Sequence, residues 1–119
     1  MAQHSVLPRL DDILEAIERV ASIVSGMDLE TYTTNFVKRL AVERCVEIVS
    51  EASRHLPVEL TSAYPGIPWH DIRGIGNRLR HEYQRVDDQV IWFVATRSLP
   101  ELEPVIADML TRLQSEPDV

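Results

Sequence analysis

The chain lacks nearly everything a stapled, membrane-embedded or nucleic-acid-coating protein needs. It has one cysteine, Cys45, so no disulfide framework can form. Cys45 falls in the apolar series Val42, Val46, Val49 and reads as a small buried hydrophobe in a reducing compartment. There is no run of about 18 apolar residues, which excludes a membrane-spanning helix. The N-terminal "MAQHSVLPRLDD" has no basic region followed by an apolar core, so a cytoplasmic protein is expected. Positive charge is also short. Twelve Lys and Arg face 19 Asp and Glu, a net charge of −7, and this excludes broad non-specific coating of nucleic acid, which works by counterion release from a cationic surface. Contact with RNA has to be local. No alternating strand pattern, internal repeat or low-complexity tract occurs.

What is present is helical periodicity. In 119 residues, 45% of them apolar, there is material for one domain over 1–119 with an ordinary core, and only the last residues, 115–119, read as frayed. Leu10, Ile13, Leu14, Ile17, Val20, Ala21 and Val24 recur at spacings of three and four, with Gly26 as a stop. Asp28 caps a short turn, after which Val37, Leu40, Ala41, Cys45, Ile48, Val49 and Ala52 mark a second long helix ending before Pro57. "PVELTSAYPGIP" is a connector holding at most one helical turn. Pro68 suits the start of a third helix, from Trp69 to Tyr83. Val90, Ile91, Phe93 and Val94 form a short helix. A last one begins at Ser98, an N-cap with Glu101 three residues on, which places Pro100 and Pro104 near its start. These elements predict an all-α, up-and-down bundle of about four to five helices.

The third helix is the odd member, because "GIGNRLRHEY" concentrates polar side chains. With His81 set at zero and about 100° per residue, Asn77 lies near −40°, Arg73 near −80°, Arg80 near −100°, Gly76 near −140° and Tyr83 near −160°. Arg78 lies near +60°, and Ile72, Ile75 and Leu79 between about +120° and +180°, facing the core. One polar stripe facing solvent or a partner follows. An imidazole beside a guanidinium suits phosphodiester cleavage, one group moving protons and the other holding phosphate. RNA is the favoured substrate, since its 2′-hydroxyl is an internal nucleophile and neither metal nor cofactor is needed. Asn77 can orient either group. His70 and His81 share a face eleven residues apart, but no third ligand completes a zinc site. Bland readings stand beside these. A lone histidine on a polar face is ordinarily solvated, Arg78 reads as a surface ion-pair residue, Glu43, Glu47 and Glu51 as an acidic solvated stripe, and Trp69 and Trp92 as core or dimer-interface residues.

At these residues the sequence resembles the HepT-like HEPN domains. Their motif is an arginine, a polar residue, three further residues, a histidine, one residue and a tyrosine, and "IPWHDIRGIGNRLRHEYQRVDDQVIWFVATRSLPEL" is similar to the motif region. "LDDILEAIERV" and "VERCVEIVSEASRHLP" resemble the family's first two helices, with Ser50-Glu51-Ala52 where the family often has glycine-glutamate-alanine. The resemblance implies an all-α bundle, a two-fold homodimer in which two motif helices form one cleft, and a metal-independent RNase toxin of a type VII toxin–antitoxin pair. It implies a minimal nucleotidyltransferase (MntA-like) antitoxin that transfers AMP to the motif tyrosine. Carried over, the motif residues are Asn77, His81 and Tyr83. The motif arginine falls on Gly76, and Arg73 or Arg80, which flank its direction, are the candidates to replace it. Glu51 is a candidate to hold an arginine. The alternative reading is a catalytically weak or inactive partner subunit, or modification substrate, of the nucleotidyltransferase.

Overall fold

A computed structural model describes residues 2–115, with side chains described for 6–82 and 84–115. The frayed tail expected at 115–119 falls, beyond Ser115, outside the described residues. Helix α1 (Ala2–Val24) buries Leu10, Ile13, Ile17 and Val20, the stripe that the spacing predicts, and Gly26 ends it with φ of +77°. Asp28 then starts α2 (Leu29–Thr34) through a capping box: its carboxylate accepts from the Thr31 N–H at 2.8 Å and its own N–H donates to Thr31 Oγ1 at 3.0 Å. The Thr31 N–H is also the main reason the Asp28 carboxyl lies below the usual range. Helix α3 (Phe36–Ser53) is capped by Asn35, whose Oδ1 accepts from the Lys38 N–H at 3.0 Å. The proline-rich connector holds a single turn, α4 (Val58–Thr61), before α5 (Trp69–His81).

Packing orders these rods. Helix α3 lies against α1 on one side and α5 on the other, and α7 (Leu99–Ser115) covers α1. Helix α5 is therefore an outer element, held chiefly by α3. Trp69 anchors its start, with the indole N–H donating to the Tyr64 carbonyl at 3.1 Å. Tyr64 is in turn fixed by a hydrogen bond from its hydroxyl to Asp108 on α7 and by Arg112 lying over its ring.

Three expectations need correction. Val37 and Leu40 are 73% and 50% exposed, because α1 and α5 cover the stripe Val42, Cys45, Val46 and Val49, whose mid-line lies about 130° and about 170° round the helix from them. Tyr83 has left the motif helix: α5 stops at His81, Glu82 turns away with φ of −137°, and residues 83–85 form a tight 3-10 turn, so the angle assigned to Tyr83 does not hold. The last two helices are not separate and Ser98 is no cap. Helix α6 (Asp88–Phe93) runs through a π turn at 94–98 directly into α7 (Leu99–Ser115). Pro100 is the cause, since it has no N–H for the Thr96 carbonyl and its ring crowds that oxygen. The turn widens, and the Leu99 N–H bonds to Val94, five residues back, instead of four.

Tyr32 on α2 is fully buried against Trp92, with ring centroids 5.3 Å apart, and its hydroxyl has no hydrogen-bond partner among the described residues. Burial, helped by the carboxylates of Glu43 and Asp88, pushes the phenol well up, so it remains neutral. An unsatisfied buried hydroxyl costs stability. Tyr32→Phe should thus leave stability unchanged or raise it by up to about 1 kcal/mol, whereas Tyr32→Ala should lose about 3–5 kcal/mol through its cavity; urea midpoints at constant slope check both.

Candidate active site

The meeting of α3 and α5 is organised by one small pair. The Ser50 hydroxyl donates to the Arg73 carbonyl at 3.0 Å and accepts from the Gly76 N–H at 3.0 Å, bridging one turn of α5. Ser50 is buried at 1% exposure, so both bonds are made away from water. The approach is close enough that a Cβ placed on Gly76 would stand 2.6 Å from Ser50 Oγ and 2.7 Å from Ser50 Cβ. Arg54 adds a bond from Nη1 to the Arg73 carbonyl at 3.1 Å. Arg54 and Ser50 reach Arg73, and Ser50 also reaches Gly76, so the two helices run in opposite directions.

This geometry revises the polar stripe. Gly76 does not face solvent; it is buried against α3, and the motif arginine's position is closed on this backbone. Arg73, beside it, is half-buried, and its Nη2 donates to Thr61 Oγ1 on α4 at 3.4 Å. Arg80 is exposed on the outer edge of the seam, where Nη1 comes to 3.9 Å from Glu51 Oε1. The other Glu51 oxygen is 3.3 Å from His55 Nε2, so Glu51 links an imidazole and a guanidinium across the two helices. Both members of the Arg80–Glu51 pair are about half exposed, and solvent-screened pairs of this kind contribute little to stability. Its role is to limit where the Arg80 head group points.

Asn77, Arg80 and His81 are all exposed on the last turns of α5. Three cations, Arg78, Arg80 and His81 when protonated, sit where the helix macrodipole is negative and favours them. A shallow depression of about 440 Å³ lies next to His81, lined by Glu82, Gln84 and Arg85. Tyr83 follows His81 in the chain, but its side chain lies outside the described residues. The structure thus brings Asn77, Arg80, His81 and Glu51 to one side of the α3–α5 seam and ties Arg73 back toward α4. Ser50, His55 and Arg54 were missed by sequence reasoning. The signal for Ser50 was a small polar residue inside an apolar helix, opposite a helix with two glycines.

Among the described residues no group of three or more His, Cys, Asp and Glu side chains is placed to share a metal ion, and no helix is long and apolar enough to cross a membrane. Cys45 is buried, which pushes its thiol up and keeps it protonated and unreactive.

Alanine at an unstrained helical glycine ordinarily gains about 0.5–1 kcal/mol. Gly76→Ala should instead lose roughly 1–3 kcal/mol, because the added methyl forces α3 and α5 apart, and Ser50→Gly in the same chain should remove most of that loss. Gly76→Arg should fold only alongside Ser50→Gly. Chemical denaturation of the single and double variants checks this.

Comparison with known proteins places the chain. The family described as ribonuclease HepT-like matches residues 13–109. A Methanocaldococcus jannaschii protein that carries RNase in its name is 30% identical over 113 residues, covering 92% of this chain and 93% of the relative. A Caldanaerobacter subterraneus protein similarly named for RNase is 32% identical over 105 residues, with 88% and 94% covered. A Thermococcus cleftensis protein named probable ribonuclease HepT is 32% identical over 94 residues, with 79% and 86% covered. No solved structure matches. With the helical architecture, the motif helix and a match running from α1 into α7, the chain belongs to the HepT-like ribonuclease family.

Proposed function

We propose that the protein is a HepT-like RNase toxin of a type VII toxin–antitoxin pair, cleaving RNA without a metal ion. His81 moves the proton, the Arg80 guanidinium holds the phosphate and Asn77 orients one or the other by hydrogen bonds. Arg80 takes this role rather than Arg73, because Arg73 is occupied at Thr61 and half-buried whereas Arg80 projects outward beside Glu51. The observation that carries the reading is the joint exposure of Asn77, Arg80 and His81 at the end of α5, in a chain of the ribonuclease family. In a single protomer His81 borders a shallow depression that neither Asn77 nor Arg80 lines, so a two-fold dimer is the working unit, with a second α5 closing the cleft. A partner nucleotidyltransferase neutralises the toxin by transferring AMP to Tyr83, two residues from His81, where the added bulk and charge obstruct the cleft.

One observation favours a second reading. Gly76 under Ser50 leaves no opening for the motif arginine, and a chain so altered could serve as a weak or inactive subunit, retained as docking partner or modification substrate of the nucleotidyltransferase. Expression in a bacterial host separates the two. The RNase reading expects growth arrest that His81→Ala abolishes, with RNA cleavage by the purified variant down about 10²–10⁴-fold. It also expects the arrest to vanish, with an AMP-sized mass increase on Tyr83, when the nucleotidyltransferase is co-expressed. Unimpaired growth together with that mass increase would support the inactive subunit.

A further inference from the structure

A second unfilled feature lies on the other side of α5. Between α5 and the α6–π-turn rod runs an apolar trough of about 560 Å³, with Val46 and Val49 of α3 at its base and Ile72 and Ile75 along the α5 wall. At its lip Phe93 and Val90 are 56% and 41% exposed. Apolar area left in water at a preformed concavity is the mark of a surface that something covers.

Its charges indicate what covers it. Asp71 and Arg78 both line the trough, seven residues apart on the same side of α5, and Gly74 lies between them with open space where a side chain would begin. Opposite charges spaced symmetrically about one point form a self-complementary pattern. If a second α5 is laid antiparallel across a two-fold axis at Gly74 and Ile75, each Asp71 meets the partner's Arg78. Gly74, with no side chain and open space around it, lets the backbones approach at the crossing.

His70 gives this arrangement a chemical consequence. It also lines the trough, and it lies within about 20° of His81 around the helix but about 16 Å away along it, too far for both to reach one phosphodiester of the same strand. An axis near residue 75 reverses that: it carries the partner's His70 to the level of His81. With the two-fold dimer of the proposed function seated on this trough, we propose that the partner's His70 completes each His81 site as its second proton-transfer group. The proposal rests on the reading of His81 as a proton-transfer group.

The reaction has two proton transfers, and a second imidazole lets each have its own group. As the 2′-oxygen bonds to phosphorus, its proton passes to a neutral imidazole. As the P–O5′ bond breaks, the leaving oxygen takes a proton from an imidazolium. The products are a 2′,3′-cyclic phosphate and a 5′-hydroxyl, with no other reactant consumed.

Subunit complementation tests this. His70→Ala and His81→Ala, purified separately, should each cut single-stranded RNA at least about 100-fold more slowly than wild type. Co-expressed at equal levels they should recover about a quarter of wild-type activity, because half the dimers are mixed and one of the two sites in each is complete. By light scattering Asp71→Arg should be monomeric and Asp71→Arg/Arg78→Asp dimeric again. His70→Ala cutting at the wild-type rate, or a mixture of dimeric variants that recovers nothing, would overturn the shared site. A monomeric wild type, or a dimer indifferent to the charge changes, would overturn the interface. A wild type that dimerises through the charge pair yet cuts no RNA would instead refute the RNase reading and leave the interface standing.

Discussion

The contact of the Ser50 hydroxyl with the backbone of Gly76 sets the position of everything that follows it. It draws α5 against α3 at a distance only a missing side chain permits, and it does so at an outer helix with little other support. On the other wall of α5, toward α6, an apolar trough stays open. Because Gly76 is buried, the cation the motif expects there has no room, and the proposed anion holder, Arg80, stands one turn on. One packing contact thus closes the motif arginine's position and leaves Arg80, one turn on, as an exposed guanidinium.

That displacement also fits the electrostatics of the chain. Four of its twelve cations, Arg73, Arg78, Arg80 and Arg85, lie on or just beyond α5, in a molecule whose net charge is −7. A polyanion is repelled by most of this surface and attracted at one helix, which favours a local encounter over coating. Glu51 neighbours Arg80 at 3.9 Å without neutralising it in solvent, and a phosphate can displace so weakly held a partner.

Much of this was legible in the sequence because helix-forming periodicity is local. The α1 stripe, the Gly26 stop, the Asp28 cap, the single turn in the connector and the content of the motif helix all depend on residues within a few positions of one another. The failures share a different cause. Val37 and Leu40 fit an apolar spacing, but which of two stripes on α3 is covered depends on where α1 and α5 dock. Ser98 and Glu101 satisfy a capping pattern, yet the helix runs on, because a π turn absorbs Pro100 at less cost than breaking an already packed rod. Gly76 lies on the polar side of α5 by rotation alone, and only the approach of Ser50, twenty-six residues earlier, reveals that side as a packing surface. The exposure of Asn77 and His81 followed from the sequence; the separation of Arg73 from Arg80 did not, because it depends on Thr61 and Glu51.

That separation is the part of the account most open to direct attack. Cleavage of a short single-stranded RNA should be measured for Arg80→Ala and Arg73→Ala side by side, with folding checked by thermal unfolding. If Arg80 carries the phosphate, its removal lowers cleavage by about 10²–10³-fold without loss of stability, whereas removal of Arg73 lowers stability and leaves the residual rate of folded protein nearly intact. The reverse pattern, or two variants that both cleave like wild type, would contradict the claim that Ser50 and Gly76 move the cationic role to Arg80.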